Sequence, residues 1–371
     1  MLGVSGFFCI EHTMNEAINE SPMYPLVLEP ILKEKVWGGR RLEGFGKVLA
    51  EGAMVGESWE FADLSSTSAS GGGGDAAISV IANGAMKGKT VRDAISAWGD
   101  GMMGGVALSD AGGFPLLVKY LDAREHLSVQ VHPSVEYAAA HADAHLKTES
   151  WYVLEAEEGA VIYKGMKDGV TRDDLQAAIE NGTVPEVMKS MPAVVGECHT
   201  LESGTVHALG AGVLVAEVQT PSDTTYRVYD WASEYGREGR ELHIAQAVEC
   251  ALFEEASDGV MADLSISSAE MGAGGPPKMG SVRTRVSGTD FYTMDVVSAS
   301  CSEVPLVEGD SSGPVVLMVS KTMGASVASK SGGFEEVMVE AGQTVLIPAG
   351  IVGNCILRAG PGTVGVIAEV V

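Results

Sequence analysis

Positive charge is scarce in this sequence. Its 371 residues carry 24 Lys and Arg against 50 Asp and Glu, a net charge of -26. Such a surface repels phosphate backbones and anionic lipid, so neither nucleic acid nor membrane is an expected partner. An anionic ligand would need a local positive pocket, which makes any inward-pointing Lys or Arg informative. Cysteine is sparse too: Cys9, Cys198, Cys250, Cys301 and Cys355 are scattered, with no C-x-x-C pair. Neither a disulfide framework nor a cysteine zinc site follows, and a reducing cytoplasm is the expected compartment. No apolar run is long enough to span a bilayer. The opening MLGVSGFFCI is apolar but lacks a basic n-region and a clear cleavage site, so it does not read as a signal peptide. Residues 1–23 are expected to be a loose leader, with Met14 and Met23 as alternative starts.

What remains has ordinary globular composition, 46% hydrophobic and 20% charged, and the length suits two domains or one large one, with a sizeable core. Its chemistry is concentrated in residues 127–151, LSVQVHPSVEYAAAHADAHLKTESW, and in SGTVHALG around His207. A period of two places Leu127, Val129 and Val131 on one face of a strand, and Ser128, Gln130 and His132 on the other. On a second strand Lys147, Glu149 and Trp151 share a face, and on a third Thr205 and His207 do. Gln130, His132, Glu149 and His207 then offer an amide oxygen, two imidazoles and a carboxylate, a four-ligand set suited to a divalent metal. For any one of these histidines, a hydrogen-bonded polar cluster remains the alternative. His141 and His145 have the spacing to share a helix face and bind zinc, but no acidic partner adjoins them. They read as an exposed loop or helix pair.

Several further segments carry local signals. Tyr24–Leu32 reads as a first strand whose prolines suit a sheet edge. Ser65–Ala76 (SSTSASGGGGDA) reads as a flexible surface loop, without the strand and helix that a phosphate loop requires. Thr90 caps a short helix, VRDAISAWG, that Gly99 helps to stop. In the strand Phe114–Asp122, Lys119 shares a face with Leu117 and Leu121. It is either an edge lysine snorkelling to water or a positive charge inside a barrel. Thr171–Met191 reads as helical, with Thr171 as N-cap and Gly182 past the end. Val213–Gln219 is a strand with Glu217 and Gln219 on one face; Thr225, Arg227 and Tyr229 share a face of the next. Leu242, Ala245, Val248 and Leu252 form the apolar stripe of a helix. Residues 254–278 are rich in Gly, Ser, Ala and Pro and read as a boundary, and from Phe291 onward short apolar runs broken by Gly predict strands.

Gly196–His207 reads G-x5-E-x-G-x2-H, which resembles the second motif of cupins with Glu202 in place of the usual proline. Gly342–Gly353 repeats the frame with Pro348 and Gly350 intact and Gly353 where the histidine would sit. The resemblance implies a mainly β protein of two cupin-type (jelly-roll) barrels. The first is a metal-binding catalytic unit over 24–253, with helical insertions at about 64–113 and 171–191. A linker at 254–278 leads to a second barrel over 279–371 that lacks metal ligands.

VWGGRRL, GESWEFAD, FPLLVKYLDAREHLSVQVHP, KTESWYVL, SGTVHALG, VLVAEVQTPSDTTYRVYDW and RELH follow one another between about Tyr24 and Phe253. Together they resemble the type I mannose-6-phosphate isomerases (phosphomannose isomerases), especially the short bacterial type. By that resemblance the metal ligands fall on Gln130, His132, Glu149 and His207, and the metal is zinc, one per chain, with other divalent ions open. The catalytic arginine falls on Arg227 and the lysine beside the glutamate ligand on Lys147. Substrate-binding positions fall on Lys119, Ser128 and Glu217. The implied reaction interconverts mannose 6-phosphate and fructose 6-phosphate through a cis-enediol, with Lys147, Glu217 or a metal-bound water moving the proton. Glu202, the lengthened His-rich loop and the Gly-rich insertion depart from the pattern. Another metal cupin enzyme (a different sugar isomerase or an iron or manganese oxygenase) and a non-catalytic sugar-binding cupin are the alternatives. Oligomeric state is not legible in the sequence.

Overall fold

The structure is a computed structural model that describes residues 22–64, 76–142, 144–267, 279–309 and 313–371. Most of the expected leader, the Gly-rich loop up to Asp75, and Ser268–Lys278 of the expected linker lie outside the described residues.

Strands dominate, and every strand pairing is antiparallel. Four sheets stack on one another. The outermost has five strands, in the order Met188–Pro192, Val161–Met166, His207–Leu209, Val129–Val131, Tyr226–Tyr229. Facing it is a seven-stranded sheet: Val260–Met261, Glu197–Leu201, Glu149–Ala156, Val213–Gln219, Leu117–Ala123, Ile31–Gly39, Val55–Phe61. A six-stranded sheet containing Val315–Lys321, Thr363–Val370 and Tyr292–Ser300 comes next, and a four-stranded sheet around Cys355–Ala359 and Ala325–Ser329 closes the stack.

Side-chain alternation explains the stacking, because each strand feeds two layers. Val118, Tyr120, Leu214, Ala216 and Val218 face away from the five-stranded sheet and pack with Tyr292, Met294, Val316 and Val366 of the six-stranded one. Val315, Leu317, Val319 and Val297, one residue out of phase, pack against Val327 and Leu357 of the last sheet. Leu121, Trp151, Val153, Leu209 and Val215 fill one end of the space between the five- and seven-stranded sheets. Polar side chains occupy the other end. On the outer face of the five-stranded sheet, Val129, Val131, Tyr226 and Val228 are covered by the helices Arg172–Asn181 and Ile244–Cys250 through Leu175, Ala178, Ile179, Ala247 and Cys250.

The expected helix starts are present as capping boxes: Thr90 with Asp93 before Val91–Trp98, and Thr171 with Asp174 before Arg172–Asn181. Several boundaries differ from expectation. Tyr24–Leu32 is not one strand. Leu26–Val27 pairs with Leu346 and Val345 at the edge of the six-stranded sheet, whereas Ile31–Gly39 joins the seven-stranded one. Pro30 lies between them, so the chain changes sheets where it cannot donate to a ladder. Helix does not run to Met191: Gly182 ends it in a left-handed conformation, a short turn Val184–Val187 follows, and Met188–Pro192 is an edge strand on Val161–Met166. In the later helix the buried face is Ala247 and Cys250, and Ala245 is exposed. Within the stretch expected to be linker, Val260–Met261 pairs with Cys198 and Glu197. The two G-x5 frames start alike, with Gly196 and Gly342 at positive φ ahead of a strand, then diverge. Gly204 turns at φ 92, whereas Gly350 sits inside the one-turn helix Ala349–Val352.

Candidate metal centre and pocket

Cross-strand register assembles the site. On the five-stranded sheet Arg227 stands opposite Gln130, Gln130 opposite His207, and His207 opposite Lys164, so four polar residues form one row. On the seven-stranded sheet Leu201, Glu149, Gln219 and Leu117 form one row. The next row on the same face is His199, Trp151, Glu217, Lys119 and Trp59. The two sheets turn these rows toward each other.

Three side chains converge at the centre. Nε2 of His207 lies 3.1 Å from Oε1 of Glu149, and Nε2 of His132 lies 3.5 Å from Oε2. All three residues are buried, and one ligand atom from each lies within 4.8 Å of the others. Nδ1 of His132 is 2.9 Å from the Thr224 carbonyl and Nδ1 of His207 is 2.8 Å from the Thr205 carbonyl. A carbonyl only accepts, so each Nδ1 carries the proton and each Nε2 presents a lone pair. Two imidazole lone pairs thus point at a carboxylate, and neither Oε1 of Glu149 nor Nε2 of His207 receives a hydrogen bond. Three buried acceptors facing one another repel unless a cation lies between them. The donor set, two nitrogens and a carboxylate with Gln130 adjacent to His207, fits zinc or another divalent ion of intermediate softness.

Lys147 is the one described cation in contact with this group. Its Nζ is 2.6 Å from Oε2 of Glu149 and 3.3 Å from Nε2 of His132. Burial pushes the Glu149 carboxyl up, but the Lys147 ammonium beside it outweighs burial and holds the group well below the usual carboxylate range. Burial first, and Lys147 second, drive His132 down to about 3, which keeps its imidazole neutral and able to bind a metal.

A cavity of about 150 Å³ opens beside this centre, lined by Lys119, Ser128, Gln130, Lys147, Glu217 and Arg227 among others. Lys119 is buried on an interior strand between Val213–Gln219 and the Ile31–Gly39 and Val55–Phe61 strands, so it is a charge inside the molecule and not an edge lysine. Its Nζ is 3.1 Å from Oε1 of Glu217, whose Oε2 accepts from the Trp151 indole at 2.8 Å. Arg227 donates through Nη1 to the Glu241 carbonyl at 2.7 Å, and its backbone N donates to Nδ1 of His243 at 3.1 Å. Tyr229 does not share the face of Arg227. A bulge after Arg227 breaks the alternation and turns Tyr229 outward against Trp231. Leu127, expected beside Val129, instead lines the cavity with Ser128.

The structure brings together all nine residues singled out from the sequence: three at the centre, with Lys147 against them and the other five around the cavity. His141 and His145 do not join them. His141 stacks on Tyr137 with its Nδ1 near the Tyr137 carbonyl, and His145 is exposed. Sequence reasoning missed Lys35, Trp37, Glu57, Trp59, Asp223 and Arg240, which also line the cavity. The signal was present in GESWEFAD, where alternation puts Glu57 and Trp59 on one face.

Comparisons with known proteins converge on one family. A family model for the catalytic domain of type I phosphomannose isomerase matches residues 26–164. Mannose-6-phosphate isomerase ManA of Bacillus subtilis is 38% identical over 229 residues, which cover 61% of this chain and 67% of that protein. Mannose-6-phosphate isomerase of Streptococcus mutans is 36% identical over 249 residues, covering 66% and 73%. The crystal structure of mannose 6-phosphate isomerase from Bacillus subtilis superposes with a TM-score of 0.73 at 26% identity, over 93% of this chain and 99% of that one. The Salmonella typhimurium enzyme, solved with fructose 6-phosphate and zinc, shares the fold with a TM-score of 0.63 at 16% identity, over 93% and 99%.

Proposed function

The chain belongs to the mannose-6-phosphate isomerases, and from that premise we infer that it interconverts mannose 6-phosphate and fructose 6-phosphate with zinc as its cofactor. The observation that carries the reading is the meeting of His132, Glu149 and His207 beside a cavity whose lining includes Gln130, Lys119, Lys147 and Arg227.

Gln130, His132, Glu149 and His207 would hold the metal. When bound, a divalent cation supplies Lewis acidity to the sugar's carbonyl and hydroxyl oxygens. The chain's own residues do the rest. Lys147, fixed by Glu149 at the cavity floor, is in place to carry a proton between C1 and C2 through a cis-enediol, and Glu217 is the second candidate. Arg227, held by Glu241 and His243, presents its guanidinium to the cavity, where it stabilises negative charge developing on the enediol oxygens. Ser128 offers a hydroxyl and Lys119 an ammonium to the phosphorylated end.

The five- and seven-stranded sheets with their covering helices correspond to a first cupin barrel over 24–253, and the six- and four-stranded sheets to a second over 279–371. Leu26–Val27 is lent by the first to the second, and part of 254–278 is strapped to the first. Cys198, Cys250, Cys301 and Cys355 are free thiols, in keeping with a cytoplasmic enzyme.

The test is a coupled fructose 6-phosphate assay with and without chelator, followed by zinc add-back. Activity is expected to vanish on chelation and return with zinc. Persistent turnover in metal-free protein would overturn the assignment.

A further inference from the structure

The reaction above leaves the cavity residues of GESWEFAD without a role. Glu57 and Trp59 reach the cavity from the strand Val55–Phe61, and Lys35 joins them from Ile31–Gly39. Gly56 makes this approach feasible. A Cβ there would stand 2.7 Å from both Cβ of Lys35 and Cζ3 of Trp37, so a larger residue would push the lysine off the strand.

Glu57 lies between two ammonium groups. Its Oε1 is 3.2 Å from Nζ of Lys35, and its Oε2 is 4.0 Å from Nζ of Lys119. The Trp59 indole donates to Oε2 at 2.7 Å and fixes the carboxylate's orientation. Nζ of Lys119 also sits over the Trp59 ring, 5.3 Å from its centroid. The lysines outweigh burial and hold Glu57 below the ordinary carboxylate range, so it is an anion at neutral pH. Lys119 stands two strands away from the Glu149 strand, about 10 Å across the sheet. That separation suits the far end of a hexose phosphate whose C1–C2 end lies at the metal centre. A dianionic phosphate there meets two lysines, the Glu57 carboxylate between them, and Glu217 3.1 Å from Lys119.

We propose that Glu57 is a specificity-determining residue: it bridges Lys35 and Lys119, and its charge sets how strongly this end of the pocket takes a phosphate. The inference rests on the isomerase reading, because it assigns the metal end to the reacting carbons. Glu57 keeps the lysines together and weakens the hold of the pair on a bare anion. A phosphate ester, held also by its sugar at the other end, tolerates that repulsion better than inorganic phosphate does.

The experiment uses the zinc-loaded full chain and its Glu57→Gln and Lys35→Met variants. Inorganic phosphate is titrated by calorimetry and as a competitive inhibitor of mannose 6-phosphate turnover, and thermal melting verifies the fold. Glu57→Gln is expected to tighten phosphate binding about five- to tenfold, as expected for removing one like charge from a partly screened site, and Lys35→Met to weaken it by a similar factor. KM is expected to shift by a larger factor than kcat in both. Binding within twofold of the parent in both folded variants, or weaker binding in Glu57→Gln, overturns the proposal. Absence of turnover in the parent, with phosphate binding still responsive to both substitutions, would count against the isomerase reading instead.

Discussion

Lys147 holds its Nζ 2.6 Å from Oε2 of Glu149. The same nitrogen is 3.3 Å from Nε2 of His132, so the ammonium borders the set of acceptors that would take the metal. A positive charge there offsets the carboxylate and opposes a dication, yet it also faces the cavity.

Lys147→Met should therefore leave zinc affinity equal to the parent's or tighter, while lowering kcat by about 10²–10⁴, the range for loss of a proton-transfer group. Competition against a chromogenic chelator and the coupled assay measure the two. Loss of zinc would instead assign the lysine to orienting Glu149.

Arg227→Ala should keep zinc and fold. The hydrogen bond between the Arg227 backbone N and His243 Nδ1 survives the change, and the strand pairing with Gln130 is made by main chain. Losing one charge-stabilising donor should cost about 10²–10³ in kcat, with a smaller change in KM. Turnover near the parent's would remove Arg227 from the reaction.

A buried ion pair ties the beginning of the chain to its end. Nζ of Lys47 is 2.7 Å from Oε1 of Glu60 and 2.7 Å from the carbonyl of Gly342, and Thr344 and Ser58 donate to the same carboxylate. Burial pushes the Glu60 carboxyl up in spite of Lys47. Lys47→Met strands that carboxylate and should cost about 3–5 kcal/mol in denaturant unfolding. Adding Glu60→Gln should recover part of the loss. A single substitution costing under about 1 kcal/mol would show that the pair is not needed to join the sheets.

His199 contributes a pH dependence to stability. It is fully buried beside Trp151 on the neighbouring strand, and neither ring nitrogen has a hydrogen bond. Burial first and Lys164 second lower it to about 4 from 6.5. Because the folded-state value lies below the unfolded one, the unfolded chain takes up the extra proton as pH falls. The contribution is present in full above about pH 6.5 and is lost between there and about pH 4, an effect of about 1–3 kcal/mol. Thermal melts of His199→Gln across that window should show a shallower slope than the parent. An unchanged slope would mean that His199 is protonated in the folded protein.

Much of the site was legible because it depends on short-range backbone geometry. Strand alternation alone puts Gln130 and His132 on one face and Glu217 and Gln219 on another, and Thr90 and Thr171 announce their helices by side chains that reach only three residues. Alternation fails where the backbone does. The bulge after Arg227 turns Tyr229 outward, and no residue type in TTYRVYDW marks it.

The sequence by itself supplied the candidate ligands Gln130, His132, Glu149 and His207 and the chemistry open to them, since residue type and strand alternation are legible in it. Tertiary structure decided what charge each group feels and which strands lie side by side. Lys119 gained two carboxylate neighbours, from Val213–Gln219 and Val55–Phe61, and Leu26–Val27 joined strands more than three hundred residues away. Such partners are chosen by which apolar faces can be buried together, a property of the whole chain that no local window contains.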